Sequence, residues 1–343
     1  MNKRTGKNIF RIVLIGGSIT SLFFVPWLLV KAWILPLPDT IQGQLDEAVD
    51  HGFDGIIVYV DQAGKLPQYF ASGWHDRESK EPANPQALFK IASISKLYDA
   101  VAATKLVSAG RLSLDKNVAE YLPDLKDKIE YSDQITLRML VQHKSGIPNF
   151  TDTPNFWALP TESVEESLAL IAGKPANFKP GTDYEYCNTN YLLINKIMDE
   201  ELGYPNFQFI QEKILDPLEL DHTYPSLDAV DIDKVMSGYH EGYPHDLKYS
   251  DHGMHATAED VGKFLRALND GSVFEEGERE IYSSLYELKH AGWVPGYQSF
   301  AEYYDNINTV VVAFYSTTDP DLMNWNLSEI INNRIVKIVK NQD

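Results

Sequence analysis

Only one cysteine, Cys187, occurs in the 343 residues, so no disulfide can form within the chain and its stability must come from packing. Bases are scarce as well. The 30 Lys and Arg stand against 49 Asp and Glu, a net charge of -19 that argues against an electrostatic grip on nucleic acid. No internal repeat, low-complexity tract or second linker is present. No Gly-x-Ser-x-Gly occurs, which disfavours the hydrolases built on a strand-to-helix nucleophile turn. A helical His-Glu-x-x-His is missing too. His240, His245, His252 and His255 fall close together, but Pro244 interrupts the spacing and no cysteine joins them. Hydrogen-bonded or surface loop histidines are expected there rather than a metal site. No motif calls for a cofactor.

What is present suits a large core: 44% hydrophobic and 12% aromatic residues over a length fit for one large domain or two interlocked ones. The charge is unevenly placed. Residues 1–31 contain Lys3, Arg4, Lys7, Arg11 and Lys31 and no acid, leaving 25 bases against 49 acids in the remainder. Between those bases, Ile12 to Val30 is a 19-residue run without a charge, close to the ~20 residues that carry a helix across a bilayer. The residues after it, Lys31-Ala32-Trp33-Ile34-Leu35-Pro36, do not form a small-x-small cleavage site. Residues 1–39 are therefore expected to be an uncleaved N-terminal transmembrane helix and linker. By the positive-inside rule, a single-pass cell-membrane protein would result, with residues 40–343 as an extracytoplasmic domain.

Beyond the linker, Thr40 opens an amphipathic helix carrying Ile41, Leu45, Ala48 and Val49 that stops at Gly52. Gly55 to Val60 and Gln68 to Trp74 are β-branched and aromatic runs around a turn, the pattern of a hairpin. Helical patterns dominate from Ser93 to about Leu268. Among them, Tyr191, Ile194, Met198 and Leu202 precede a stop at Gly203, and Thr257 caps a helix that ends at Gly271. Three strands are expected at Ser284 to Leu288, Gln298 to Tyr304 and Thr309 to Tyr315, then a closing helix with Leu327, Ile331, Ile335 and Ile338. The fold class is α/β in the α+β sense: an antiparallel sheet built from both chain ends, flanked by helices, with an inserted all-helical region.

The chemistry concentrates in short motifs. Ser93-Ile94-Ser95-Lys96 begins a long apolar helical stretch, and residues three apart share a helix face. A serine hydroxyl needs a base to become a nucleophile, and a partly desolvated lysine can be that base. The helix start also aims N–H groups and partial positive charge at a developing oxyanion. Chance supplies about one Ser-x-x-Lys in a chain of this length, and Ser113-Leu114-Asp115-Lys116 is a second match in a polar connection. Tyr186-Cys187-Asn188 offers a hydroxyl to relay a proton and an amide to hold a carbonyl. Tyr204-Pro205-Asn206 and Tyr304-Asp305-Asn306 share that form. His290-Ala291-Gly292, followed by Trp293, falls at a strand edge.

In order along the chain, FKIASISK (89–96), LVQHKSGIPNF (140–150), PGTDYEYCNTNYLLI (180–194), GMHATAEDVGKFL (253–265) and HAGWVPGYQS (290–299) resemble the serine β-lactamase and penicillin-binding-protein family. The likeness is to its class C enzymes, D-alanyl-D-alanine carboxypeptidases and related esterases, and covers about residues 40–343. It implies the sheet-and-helix fold above and an acyl-enzyme on Ser93, with Lys96 and Tyr186 as the other catalytic groups. By the same resemblance Asn188, His290, Ala291, Gly292 and Trp293 contact a small-molecule or peptide substrate, and the backbone N–H groups of Ser93 and Trp293 form the oxyanion hole. A tyrosine-led second motif is unlike class A enzymes, which use a separate deacylating glutamate.

Two departures bear on specificity. Cys187 stands where the family usually has serine, and its thiol is a weaker hydrogen-bonding group. Ala291 lacks the usual hydroxyl that helps hold a substrate carboxylate, and a neutral His290 adds no permanent charge. The second, by weakening the carboxylate grip, shifts the expectation from efficient β-lactamase toward a hydrolase of esters, amides or D-amino-acid peptides. The rival reading is a binding or scaffold protein that keeps the fold without activity.

Overall fold

The computed structural model describes residues 14–15, 20–250 and 253–342. Strands β1 (Gly55–Gln62), β2 (Gln68–Asp76) and β3 (Glu81–Pro82) come from the N-terminal part of the chain. Strands β4 (His290–Val294), β5 (Tyr297–Tyr304) and β6 (Thr309–Tyr315) come from the C-terminal part. Together they form one antiparallel sheet in the order β3-β2-β1-β6-β5-β4. The two chain ends meet where Ile56 pairs with Tyr315 and Gln62 with Thr309. Burial on both faces explains why β1 reads as an unbroken apolar run instead of alternating.

The principal helices are α1 (Trp27–Ile34), α2 (Ile41–Asp50), α3 (Ser95–Ser108), α4 (Asn188–Leu202), α5 (Ala258–Asp270), α6 (Glu278–Ser283) and α7 (Met323–Asn341). On one face of the sheet, Ile56, Val58, Val60, Val311 and Ala313 pack with Ile41 and Leu45 of α2 and with Leu327, Ile331 and Ile335 of α7. On the other, Ile57, Tyr59, Val310, Val312 and Phe314 join a larger core with Val101 of α3, Ile194 of α4 and Phe264, Leu265 and Leu268 of α5. The two-residue period of a strand divides these sets. Local signals set the helix ends: the hydroxyl of Thr40 accepts from Gly43 N at 3.0 Å, that of Thr257 accepts from Asp260 N at 3.2 Å, and Gly203 and Gly271 take left-handed caps at φ 76° and 93°.

Three expectations need correction. No helix among the described residues is long and apolar enough to cross a membrane. The expected span over 12–30 is broken between Leu22 and Trp27, around Pro26, whose ring offers no N–H to a helix; residues 1–13 and 16–19 lie outside the described residues. Helix α1 instead buries Ala32 in the same apolar layer as α2 and α7. Arg334 of α7 donates to Leu35 O at 2.8 Å and Pro36 O at 2.9 Å.

The inserted region, secondly, is not all-helical. Phe89–Lys90, His255–Ala256 and Thr223–Tyr224 form a small three-stranded sheet, and Tyr239–His240 pairs in parallel with Thr317–Thr318. Pro217, Pro225, Pro244, Gly238 and Gly242 break up this stretch and favour extended connections. Third, Ser284 to Leu288 is not a strand; it is the irregular exit from α6, and the edge strand starts only at His290.

Candidate active site

Ser93 sits in a 3₁₀ turn, Ala92–Ile94, that leads directly into α3. Ala92 before it has φ 48°, a left-handed conformation that costs an alanine energy and is held by its surroundings. The buried Lys96 points back along the helix, and its Nζ donates to Ser93 Oγ at 3.1 Å. Tyr186 OH approaches the same oxygen at 2.7 Å. Lys96 Nζ also lies 5.2 Å from the ring centroid of Tyr186 and 5.5 Å from that of Tyr191. An amine and a phenol hydroxyl therefore converge on the Ser93 hydroxyl oxygen, from an i,i+3 pair and a residue 93 positions away.

The segment before α4 is positioned by the 143–151 loop. Cys187 N donates to His143 Nδ1 at 3.1 Å, and Cys187 Sγ donates to Ile147 O at 3.3 Å. The thiol is buried, and burial pushes its pKa up, which makes it an inert packing group instead of a nucleophile. Asn188 N donates to Asn149 Oδ1 at 3.0 Å, and Asn188 Nδ2 to Thr151 Oγ1 at 3.1 Å, so its amide is oriented at the start of α4. His143 was not singled out from the sequence. Its ring is 4.6 Å from that of Tyr186, and burial, helped by Lys96 and then His290, lowers its pKa to about 3. It is a neutral support behind the Tyr186 ring.

Strand β4 supplies the third wall. An added Cβ at Gly292 would lie 2.6 Å from Ile91 O and 2.9 Å from Ala92 Cβ, so glycine is what allows this edge to lie against the nucleophile turn. His290 Nδ1 donates to Ala291 O at 2.6 Å, and Tyr286 OH donates to His290 Nε2 at 2.8 Å. Burial, with Lys96 adding to it, lowers the His290 pKa to about 4, so the ring is neutral near pH 7. Ala291 and Trp293 line a cleft of about 1050 Å³ together with Ser93, Lys96, Tyr186 and Asn188. Trp293 meets Trp157 edge-to-face at 5.7 Å, giving the cleft an aromatic side.

Seven of the eight residues expected at the site line one cleft; the eighth, Gly292, packs against Ile91 and Ala92 beside it. The competing matches lie elsewhere in structural roles. Ser113 is clasped by Tyr121, whose OH accepts from Ser113 N at 2.7 Å and donates to Ser113 O at 2.9 Å. Asn206 bonds to Asp199, and Asn306 belongs to the β5–β6 turn. His240 bonds to Thr318 Oγ1 at 2.7 Å, His255 lies in a short strand, and His252 is outside the described residues. Among the described residues no group of three or more His, Cys, Asp or Glu could hold a metal ion.

The chain is 28% identical over 195 residues to Protein flp of Staphylococcus aureus strain MW2, which covers 54% of this chain and 39% of that protein. A putative D-alanyl-D-alanine carboxypeptidase of Escherichia coli K12 is 29% identical over 178 residues, 50% of this chain and 41% of that one. The matched stretch thus spans about two-fifths of the length of these curated relatives. In fold, the D-amino acid amidase of Ochrobactrum anthropi SV3 superposes with a TM-score of 0.78 at 23% identity, covering 90% of this chain and 99% of that one. The Beta-lactamase family model matches residues 39–287, well over half of the sequence and including the Ser93 and Tyr186 motifs, and the chain belongs to that family.

Proposed function

We propose that the protein is a serine hydrolase that acts through an acyl-enzyme on Ser93, on small neutral esters and amides and on D-amino-acid peptides. The observation that carries this reading is the position of Ser93 Oγ between Lys96 Nζ at 3.1 Å and Tyr186 OH at 2.7 Å. Lys96 takes the Ser93 proton as Oγ attacks the substrate carbonyl. The backbone N–H groups of Ser93 and Trp293 receive the developing oxyanion, and Asn188 holds the substrate's own amide. Tyr186 hands its proton to the leaving group as the C–O or C–N bond breaks and regains one from Lys96, and water then cleaves the acyl–Ser93 ester, its proton returning to Ser93 Oγ. The amidase and the putative carboxypeptidase among the similar proteins support the choice of amide and D-amino-acid substrates. Ala291 without a hydroxyl and a neutral His290 support preference for uncharged groups over carboxylates.

An activated phosphonate ester and hydrolysis of p-nitrophenyl acetate test the assignment together. Ser93→Ala should lose phosphonate labelling and at least about 10³-fold of the hydrolytic rate, while Ser113→Ala keeps both. Hydrolysis that survives Ser93→Ala unchanged contradicts it.

A further inference from the structure

Asp99 lies one turn beyond Lys96 on α3, is 5% exposed and borders the same cleft. Its neighbours Leu97, Tyr98, Ala100, Val101, Ala102 and Ala103 are fully buried, so nothing in the packing of this helix calls for a carboxyl. Burying one is costly unless it is paired. Among the described residues no cation comes within the 4.0 Å of an ion pair, and the opposing helix α4 presents Asn195 and Asp199. Asn195 Oδ1 is itself buried without a hydrogen-bond partner among the described residues. A buried acid and a half-satisfied amide thus stand immediately behind the base.

The other groups around Lys96 supply little negative charge. Tyr186 and Tyr191 present ring faces, and His143 from the 143–151 loop and His290 from β4 are neutral near pH 7 because burial lowers both. Glu287 stands 3.8 Å from His290 Nε2, with a side chain that is 56% exposed to water, which screens it. Asp99 is screened far less. Burial, opposed by Lys96 and by the Asn195 amide, moves its carboxyl up to about 7, so its charge changes in the range where the enzyme would work.

Resting on the Ser93–Lys96 reading, we propose that Asp99 is a positioning residue for catalysis: its buried carboxylate favours the ammonium that forms on Lys96 as Ser93 gives up its proton. The proton passes from Ser93 Oγ to Lys96 Nζ, and Asp99 acts only through its charge. The pH dependence of acylation therefore reflects the charge of Asp99.

The test is the second-order rate of phosphonate labelling from pH 5 to 10 in wild type, Asp99→Asn and Asn195→Leu, with Ser93→Ala as reference. Removing the negative charge disfavours protonated Lys96, so Asp99→Asn should move the acid limb down by about one pH unit and lower the plateau, because a weaker base remains. Asn195→Leu removes a donor to the carboxylate and should move the limb the same way by less. An acid limb in folded Asp99→Asn that superimposes on wild type, or moves up, overturns the proposal. If Asp99→Asn does not fold, Asn195→Leu decides alone, and an unmoved limb overturns it. Labelling that persists in Ser93→Ala would instead refute the underlying nucleophile assignment, a separate outcome.

Discussion

Ala291 faces the cleft on the edge strand, opposite Phe300, where it adds a methyl group and no hydrogen-bond donor beside the neutral His290. A hydroxyl there would give a substrate carboxylate a hydrogen bond of about 1.5 to 3 kcal/mol. Ala291→Thr should therefore raise kcat/KM for a chromogenic cephalosporin relative to a neutral p-nitrophenyl ester by roughly ten- to a hundredfold. An unchanged ratio of the two rates would place specificity elsewhere in the cleft. The residues named from motifs, Ser93, Lys96, Tyr186 and His290, meet because each motif has a local geometric requirement: a helical turn, a helix start and a strand edge. His143 and Asp99 carry no such local signature. His143 acts through contacts across 44 residues to Cys187. Asp99 offered a faint signal, an acid three residues after Lys96 within an otherwise apolar stretch, and only the packing of α4 on α3 gives it meaning.

Among the elements, α3 and α6 are joined by a buried ion pair, Lys105 Nζ to Glu278 Oε2 at 2.8 Å, with both side chains under a tenth exposed. Glu278 also accepts from Glu275 N at 2.8 Å, so the carboxylate orders the entry to α6 as well. Removing one partner strands the other charge in the core. Glu278→Leu should cost about 3 to 5 kcal/mol in urea unfolding, and adding Lys105→Met should recover much of that loss. Equal stability of the single and double variants would show that the pair does not hold the helices together. The wrongly expected strand at Ser284 to Leu288 lies just beyond this clamp. Its β-prone composition serves a different purpose, since Leu285 is buried in the core and Tyr286 bonds to His290. The caps at Thr40 and Thr257 and the stops at Gly203 and Gly271 were readable because they depend on contacts within four residues. The short strands at 223–224, 239–240 and 255–256 were not, because two-residue pairings are set entirely by distant partners.

For the whole molecule, the sheet is closed by pairing residues more than 240 positions apart, and this followed from strand patterns at both chain ends. The same assembly buries His143 and His290 as neutral rings, with pKa values lowered from 6.5 to about 3 and about 4. Their folded pKa values lie below the unfolded ones, so their share of stability is complete above about pH 6.5 and is lost as pH falls toward the folded values. Each contributes a slope of up to about 1.4 kcal/mol per pH unit in that window. Urea midpoints between pH 7.5 and 4.5 should therefore fall less steeply in His143→Asn than in wild type, and parallel curves would contradict this. The chemistry itself is tested most directly by intact-mass spectrometry of the whole chain after exposure to an activated phosphonate ester, followed by peptide mapping. One adduct per molecule, carried by the peptide containing Ser93 and absent from Ser93→Ala, is the expected result. An unmodified protein, or an adduct that maps to another residue, would contradict a Ser93 acyl-enzyme.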